Sequence, residues 1–177
     1  MKKFLLTLSM TALLLFTAGC SCPFSDKTAD SKPQMNTAAA SAAEVAPDFS
    51  YKELGSGKTM RLSDLKGKPV FINFWATWCP PCVGELPHIE KKYAEYKDRM
   101  HFVILSVDDN EQEPAHFIKS KGYTFPAAYG DHQALGRAYG IDAIPASYII
   151  SADGHIVASI VGSMNESSLD AFLQKAF

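Results

Sequence analysis

Two cysteines three positions apart are the residues of this 177-residue chain best suited to chemistry. They lie in Trp78-Cys79-Pro80-Pro81-Cys82, between an apolar run and a segment with helical periodicity. Thiols at this spacing can close a small disulfide ring and reopen it. At a helix N-terminus the thiolate form is favoured, because unpaired backbone N–H groups and the helix dipole stabilise the anion. The pattern predicts that Cys79 is a nucleophile and that Cys82, one turn further along, resolves the mixed disulfide.

The two prolines between the cysteines fit the same interpretation. Pro80 suits the first position of a helix, because it has no backbone N–H to leave unpaired. Pro80 and Pro81 are together expected to tune the reduction potential of the disulfide. A change of about 30 mV in this potential corresponds to roughly 1.4 kcal/mol.

Three other uses of the cysteine pair fit the sequence less well. A purely structural bridge usually joins distant segments, and so small a ring contributes little chain entropy. A zinc site needs two further ligands, and the histidines show no close ligand spacing: His88, His101, His116, His132 and His155. In a peroxiredoxin the peroxide-attacking cysteine follows a fixed pattern: Pro, any three residues, Thr or Ser, then any two residues. Neither Cys79 nor Cys82 is preceded by this pattern. We therefore predict redox exchange and no metal.

The elements around the cysteines are expected to be a buried strand followed by a helix. Residues 69–75 form an almost unbroken apolar run with β-branched and aromatic side chains, as in a central strand covered on both faces. After the cysteines, apolar residues recur at helical spacing: Leu86, Ile89, Tyr93 and Tyr96. Pro87 lies inside this helix and predicts a kink.

The remaining segments predict an α/β fold. A hairpin is expected over residues 49–54 and 59–62, a second strand over 101–107, and helices over 114–121 and 133–139. Strands over 147–150 and 155–161 flank the turn signal Asp153-Gly154. A last helix starts near Asn165 as its cap, with Leu169, Phe172 and Leu173 facing inward. This order predicts a central mixed β-sheet flanked by helices on both faces, with an N-terminal β-hairpin extension.

The first residues resemble the signal peptide of a bacterial lipoprotein. Two lysines precede an apolar run over residues 4–16, which is too short for a permanent membrane span. The run ends in Thr17-Ala18-Gly19-Cys20, which resembles a lipobox apart from Thr17, where an aliphatic residue is usual. We predict cleavage after residue 19 and lipidation of Cys20. The alternatives are cleavage at an Ala-x-Ala site and an unmodified Cys20.

A polar tether is expected to separate this anchor from a single domain. Residues 20–46 are rich in Ser, Thr, Ala, Asp and Lys and bury too little apolar surface to fold, and Cys22 within them is given no role. Residues 47–177 are long enough for one domain with one core. The whole chain carries 17 Lys plus Arg and 19 Asp plus Glu, and it has no basic stripe that would indicate nucleic-acid binding.

The motifs in combination resemble a known family. The sequence NFWATWCPPC at residues 73–82, Glu85-Leu86-Pro87, the distant Ile144-Pro145 and the Asp153-Gly154 hairpin are similar to the TlpA/ResA-type membrane-anchored thioredoxins of the AhpC/TSA-Redoxin superfamily. The resemblance extends from about residue 46 to the C-terminus. It implies a thioredoxin fold in residues 47–177, an extracytoplasmic location and service as a dithiol reductant. We further expect no bound cofactor, a monomer, and an upstream membrane thiol donor that reduces it.

The resemblance also gives roles to residues near the cysteines. Pro145 matches the family's cis-proline, which turns the backbone so that Ile144 can pair with an extended segment of the partner; the alternative is an ordinary strand-edge proline. Glu85 matches a partly buried glutamate whose raised pKa lets it exchange protons with Cys82; the alternative is a solvated glutamate.

Two further positions complete the expected site. Asn73 stands where cytoplasmic thioredoxins carry a buried aspartate, so Glu85 is expected to substitute for that acid. Trp78 is expected to cover the disulfide and contact partners, with simple packing as the alternative.

The family resemblance favours a reductant of protein disulfides. Its known clients are apocytochrome thiols, copper-site cysteines and methionine sulfoxide reductases. Within the same chemistry an oxidase or isomerase is the second choice. A peroxiredoxin-like thiol peroxidase and a non-catalytic binding module on a thioredoxin fold are the alternatives from other classes.

Overall fold

The apolar run before the cysteines forms strand β3 (Val70–Trp75), in which every residue is buried. The computed structural model describes residues 44–177 of the chain. β3 pairs in parallel with β4 (His101–Ser106) and antiparallel with β6 (Ala146–Ile150). Side chains that are apolar on both faces of a strand require cover on both sides, so this strand lies at the centre of the fold, as predicted.

The sheet has seven strands in the order β2-β1-β5-β4-β3-β6-β7. β1 (Ser50–Glu53) and β2 (Thr59–Arg61) form the predicted N-terminal hairpin. β6 and β7 (Ile156–Val161) form the predicted C-terminal hairpin. Since β3, β4 and β5 (Ala127–Tyr129) are parallel and the outer pairs are antiparallel, the sheet is mixed.

Within residues 44–177 there are four α-helices: α1 (Pro80–Tyr96), α2 (Gln112–Lys121), α3 (His132–Tyr139) and α4 (Glu166–Leu173). Short 3-10 helices cover Leu62–Leu65 and Gln174–Ala176. The predicted cap of the last helix is confirmed, because the Asn165 side chain accepts a hydrogen bond from Ser168 N at 2.9 Å.

The helices cover both faces of the sheet. On one face the core includes Leu86 and Ile89 of α1, Ile118 of α2 and Leu169 of α4. On the other face the core includes residues of α3 and of the first 3-10 helix, packed against β3 and β6. This arrangement confirms the predicted α/β thioredoxin fold.

The structure departs from the predicted elements in one strand. β5 is only three residues long and was not predicted, because Ala127-Ala128-Tyr129 carries no strand periodicity. The segment is a strand because its backbone pairs with two neighbours, in parallel with β4 and antiparallel with β1. The predicted helix α1 runs through Pro87, whose side chain is exposed.

The first described residues pair with the C-terminal hairpin. Val45 forms a β-bridge with His155, and Ala46 N donates a hydrogen bond to Gly154 O at 2.9 Å. The chain thus joins the β6–β7 hairpin, beside the first residues of β3. The predicted signal peptide, Cys20, Cys22 and most of the tether lie outside the described residues. Within residues 44–177 no helix is long and apolar enough to cross a membrane.

Candidate active site

The sulfurs of Cys79 and Cys82 are joined in a disulfide at the start of α1. The S–S distance is 2.05 Å and the Cα atoms are 5.3 Å apart. Both cysteines come directly after the loop that leaves the buried strand β3, so the rigid centre of the sheet fixes the position of the sulfurs.

Cys79 is the N-terminal cap of α1. Its backbone is extended, and its sulfur accepts a hydrogen bond from Cys82 N at 3.3 Å. Pro80 occupies the first helical position, as predicted, and Pro81 occupies the second. An N–H group in this position can stabilise a thiolate at the helix start.

The disulfide lies close to the surface but is itself shielded. Cys79 is 5% exposed and Cys82 is 1% exposed, whereas the neighbouring Trp78 is 64% exposed. Pro80 and Pro81 are exposed as well. Cys79 is therefore the sulfur nearer to solvent, which fits the predicted order of nucleophile and resolving thiol.

The distant Ile144-Pro145 pair lies beside the disulfide. The peptide bond between the two residues is cis, as the resemblance implied. Ile144 O is 3.9 Å from Cys79 Sγ. Within residues 44–177 Ile144 takes part in no backbone hydrogen bond, so its polar backbone groups are free to pair with a partner segment.

An apolar groove of about 260 Å³ adjoins this site. Its apolar wall is formed by Trp78, Val107, Ile141 and Ile144. Its polar groups belong to His132 and Asp142. The groove connects the exposed indole with the cis-proline segment. The residues predicted to bind the partner are thus brought together, although their role in binding stays a prediction.

Glu85 lies in α1 and is buried, at 1% exposure. Burial raises the pKa of its carboxyl group to about 7, although hydrogen bonds donated by Met164 N and Asn73 Nδ2 oppose the rise. Glu85 lies three residues after Cys82, and residues at this spacing share a helix face. A carboxyl group that titrates near neutral pH can both donate and accept a proton there.

Asn73 links this carboxyl group to the sheet. Its side-chain Nδ2 lies 3.0 Å from Ser147 Oγ and 3.4 Å from Glu85 Oε2. Asn73 Oδ1 is buried and has no hydrogen-bond partner among the described residues. Asn73 and Glu85 are thus in contact, whereas the substitution of Glu85 for the missing acid stays a prediction; the sequence did not indicate Ser147 or Met164. Ser147 meets Asn73 across 74 residues of sequence, and Met164 meets Glu85 across 79 residues, so both contacts exist only through the tertiary fold.

A second buried carboxylate, Asp108, also reaches the active-site loop and was not predicted. It is 0% exposed and accepts hydrogen bonds from Thr77 and Ser106. The available signal was its place directly after a buried parallel strand, since the carboxyl ends of such strands commonly form sites. Asp109 follows immediately, and the sequence does not show which of the two aspartates turns inward.

The described part of the chain offers no metal centre. No group of three or more His, Cys, Asp or Glu side chains in residues 44–177 is arranged to hold an ion. The site thus combines a cysteine pair, which can be a disulfide or a dithiol, with Glu85, a carboxyl group whose pKa is about 7.

Comparison with known proteins agrees with this geometry. Residues 40–173 match the family model described as Redoxin. A thiol-disulfide oxidoreductase ResA from Bacillus thuringiensis is 37% identical over 131 residues, which cover 73% of this chain and 75% of that protein. A ResA from Halalkalibacterium halodurans is 33% identical over 174 residues, covering 98% of this chain and 94% of that protein.

Solved structures show the same fold. The pneumococcal exposed lipoprotein thioredoxin Etrx1 from Streptococcus pneumoniae superposes with a TM-score of 0.64 at 27% identity, covering 73% of this chain and 99% of that one. The sequence relatives are thus named thiol-disulfide oxidoreductases, and the structural neighbour is named a thioredoxin.

Proposed function

The chain belongs to the redoxin family, to its TlpA/ResA-type thiol-disulfide oxidoreductases, and from this premise we propose that it reduces disulfides of partner proteins outside the cytoplasm. The observation that carries the proposal is the Cys79–Cys82 disulfide at the helix start. Cys79 is the outer sulfur and accepts the Cys82 N–H, so reduction of the disulfide yields a stabilised nucleophile.

The reaction has two exchange steps. The Cys79 thiolate attacks one sulfur of a partner disulfide; that bond breaks, a mixed disulfide forms, and the displaced partner sulfur takes up a proton. The Cys82 thiolate then attacks Cys79 Sγ, and the second partner sulfur leaves and is protonated. The partner gains two electrons and two protons, and Cys79–Cys82 is left oxidised.

Glu85 supports the second step. Cys82 is nearly excluded from solvent, so its proton needs a route other than bulk water. Glu85 is buried on the same side of α1, and its pKa of about 7 allows it to take that proton. In the reverse direction the same carboxyl group returns the proton.

Partner binding uses the surface around Cys79. The unpaired backbone of Ile144 can hydrogen-bond an extended partner segment, as in strand addition. The exposed Trp78 and the apolar groove beside it accept the side chains that flank the partner's cysteine. The clients proposed from the resemblance are apocytochrome thiols, copper-site proteins and methionine sulfoxide reductases, and the electrons come from a membrane thiol donor.

Changing Cys82 to alanine is expected to trap partners. Without the resolving thiol, the mixed disulfide between Cys79 and the client cannot be released by the second step. We expect covalent adducts, separable on non-reducing gels and lost on reduction, that mass spectrometry identifies as one or more of the client classes. The Cys79→Ala/Cys82→Ala double variant is the control and forms none. Equal adduct yields from both variants, or no adducts at all, contradict the proposal.

Location outside the cytoplasm depends on the N-terminal segment. We propose that residues 1–19 are removed, that Cys20 carries the lipid, and that residues 20–46 tether a monomeric domain over 47–177. Support comes from the lipobox-like sequence, from a ResA relative that matches 98% of this chain, and from the structural neighbour described as an exposed lipoprotein.

The chain provides a matched test of the anchor. Cys20→Ser is expected to move the protein from the membrane fraction to the soluble fraction, because it removes the lipidated sulfur. Cys22→Ser, two residues away, is expected to leave the protein on the membrane. Mass spectrometry of the mature N-terminus should show a diacylated or triacylated Cys20. A membrane fraction that is equal in both variants contradicts lipidation at this site.

A further inference from the structure

Asp108 lies at the carboxyl end of β4 with both carboxylate oxygens occupied. Thr77 N lies 3.2 Å from Oδ1 and 3.1 Å from Oδ2, and Thr77 Oγ1 donates to Oδ1 at 2.6 Å. The remaining hydrogen bond comes from Ser106 Oγ to Oδ2 at 2.7 Å. Three of these four contacts therefore come from a single residue of the loop that leads to Cys79.

The parallel pairing of β3 with β4 explains how Asp108 reaches this loop. Trp75 is in register with Ser106, and Val107 N donates to Trp75 O at 2.9 Å. The segments that follow the two strands consequently emerge side by side. Asp108 spans from one segment to the other and fixes the Thr77 peptide to the end of β4.

The Thr77 segment in turn fixes the nucleophile. Thr77 is two residues before Cys79, and Cys79 N donates to Ala76 O at 3.2 Å in a tight turn. The contact of Cys79 Sγ with Cys82 N depends on this turn holding the cap residue in place. A buried carboxylate is costly unless it is hydrogen-bonded, so Asp108 and the loop must keep their mutual arrangement.

We propose that Asp108 is a positioning residue of the redox site, which holds the Thr77 peptide so that the Cys79 sulfur is presented to the N-terminal N–H groups of α1. This inference rests on the proposed role of Cys79 as the nucleophile. Asp108 touches neither sulfur in the described contacts and acts through Thr77. Its hydrogen bonds favour the Cys79 thiolate, whereas its negative charge opposes it, so the two contributions have opposite signs and can be separated.

The test is the pH dependence of Cys79 alkylation by iodoacetamide in the reduced protein, read by peptide mass spectrometry. Asp108→Ala removes all four contacts and is expected to raise the apparent pKa of Cys79 by about one pH unit, toward the value of free cysteine. The rate of reduction of a small disulfide near neutral pH is expected to fall about 10-fold. Asp108→Asn keeps one oxygen for the Thr77 hydroxyl and removes the negative charge, so the pKa of its Cys79 is expected to be no higher than in wild type.

Two further variants control for folding and for general loss of stability. Thr77→Val keeps Asp108 and removes only the hydroxyl donor, so it is expected to raise the same pKa by a smaller amount; it also serves if Asp108→Ala does not fold. Glu90→Ala loses a similar set of bonds further along α1, from Thr124 N, Thr124 Oγ1 and Phe125 N. It is expected to lower the melting temperature without moving the Cys79 titration.

The results separate this inference from the function itself. An alkylation pKa that is unchanged or lowered in both Asp108→Ala and Thr77→Val overturns the positioning role. So does a change in Glu90→Ala as large as that in Asp108→Ala, or an Asp108→Asn variant as impaired as Asp108→Ala. In each of these cases the proposed function still holds if Cys79 of the wild-type protein is more reactive than free cysteine. A wild-type Cys79 that titrates like free cysteine removes the basis of both.

Discussion

The Cys79→Ser variant is expected to lose insulin-disulfide reduction down to the uncatalysed background, a fall on the order of 10³-fold. A hydroxyl group does not form a mixed disulfide, and Cys82 at 1% exposure cannot take over as the nucleophile. The assay measures insulin precipitation in the presence of a chemical thiol donor, with wild type and variant at equal concentration.

The controls for this experiment distinguish the alternative functions. Circular dichroism should show an unchanged fold, because the ring closed by the disulfide is small. Partner binding that survives in Cys79→Ser, combined with no insulin reduction by wild type, would support a non-catalytic binding module. Rapid peroxide consumption by wild type without a protein disulfide would support a thiol peroxidase. Retention of substantial insulin reduction by Cys79→Ser would falsify the assigned nucleophile.

Glu85→Gln is expected to stabilise the oxidised protein at alkaline pH. The pKa of Glu85 is about 7 in the fold against 4.5 for the free side chain, because burial penalises the charged form. The folded state therefore binds this proton more tightly than the unfolded state, and stability falls as pH rises from about 4.5 to 7. The loss is complete above pH 7 and amounts to about 3 kcal/mol.

The measurement is urea unfolding of wild type and Glu85→Gln at pH 5 and pH 8. The difference in unfolding free energy between the two proteins should grow in favour of the variant as pH increases. Glu113→Gln, which changes an exposed carboxylate in α2, provides the matched control and should show no such trend. Parallel curves for wild type and Glu85→Gln would mean that Glu85 titrates normally.

The same variant should be slower in catalysis although it is more stable. An amide cannot accept the Cys82 proton, so the rate at which the mixed disulfide resolves should fall by about 10-fold or more, and its inflection near pH 7 should disappear. A variant that gains stability while losing activity places Glu85 in function rather than in packing. Resolution rates equal to wild type across this pH range would exclude proton transfer by Glu85.

The elements next to the cysteines could be predicted because their signals are local. β3 is a continuous apolar run, and α1 carries an apolar stripe at helical spacing, so each is indicated by its own residues. β5 has no such signal. Its three residues are a strand because β4 and β1 offer hydrogen-bonding edges on either side.

The site itself could be predicted only in part. The thiol spacing indicates the chemistry of Cys79 and Cys82 directly, while the roles of Glu85 and Pro145 came from family resemblance. Ser147 and Asp108 could not be found, because their contacts depend on which strands are neighbours in the sheet. Asn73 also shows this limit: its strand can be predicted from the sequence, but only the fold brings Ser147 and Glu85 within reach of its amide nitrogen.

The point where the chain joins the β6–β7 hairpin has a practical consequence for handling the protein. Val70 opens β3 opposite Ile150, near that hairpin, whereas Cys79 follows the other end of β3. A six-residue strand spans roughly 17–20 Å. A fluorophore, affinity tag or biosensor surface coupled at Glu44, which pairs with Ile156, would therefore be attached about one strand length from the sulfurs, and immobilised protein should retain its turnover with large clients.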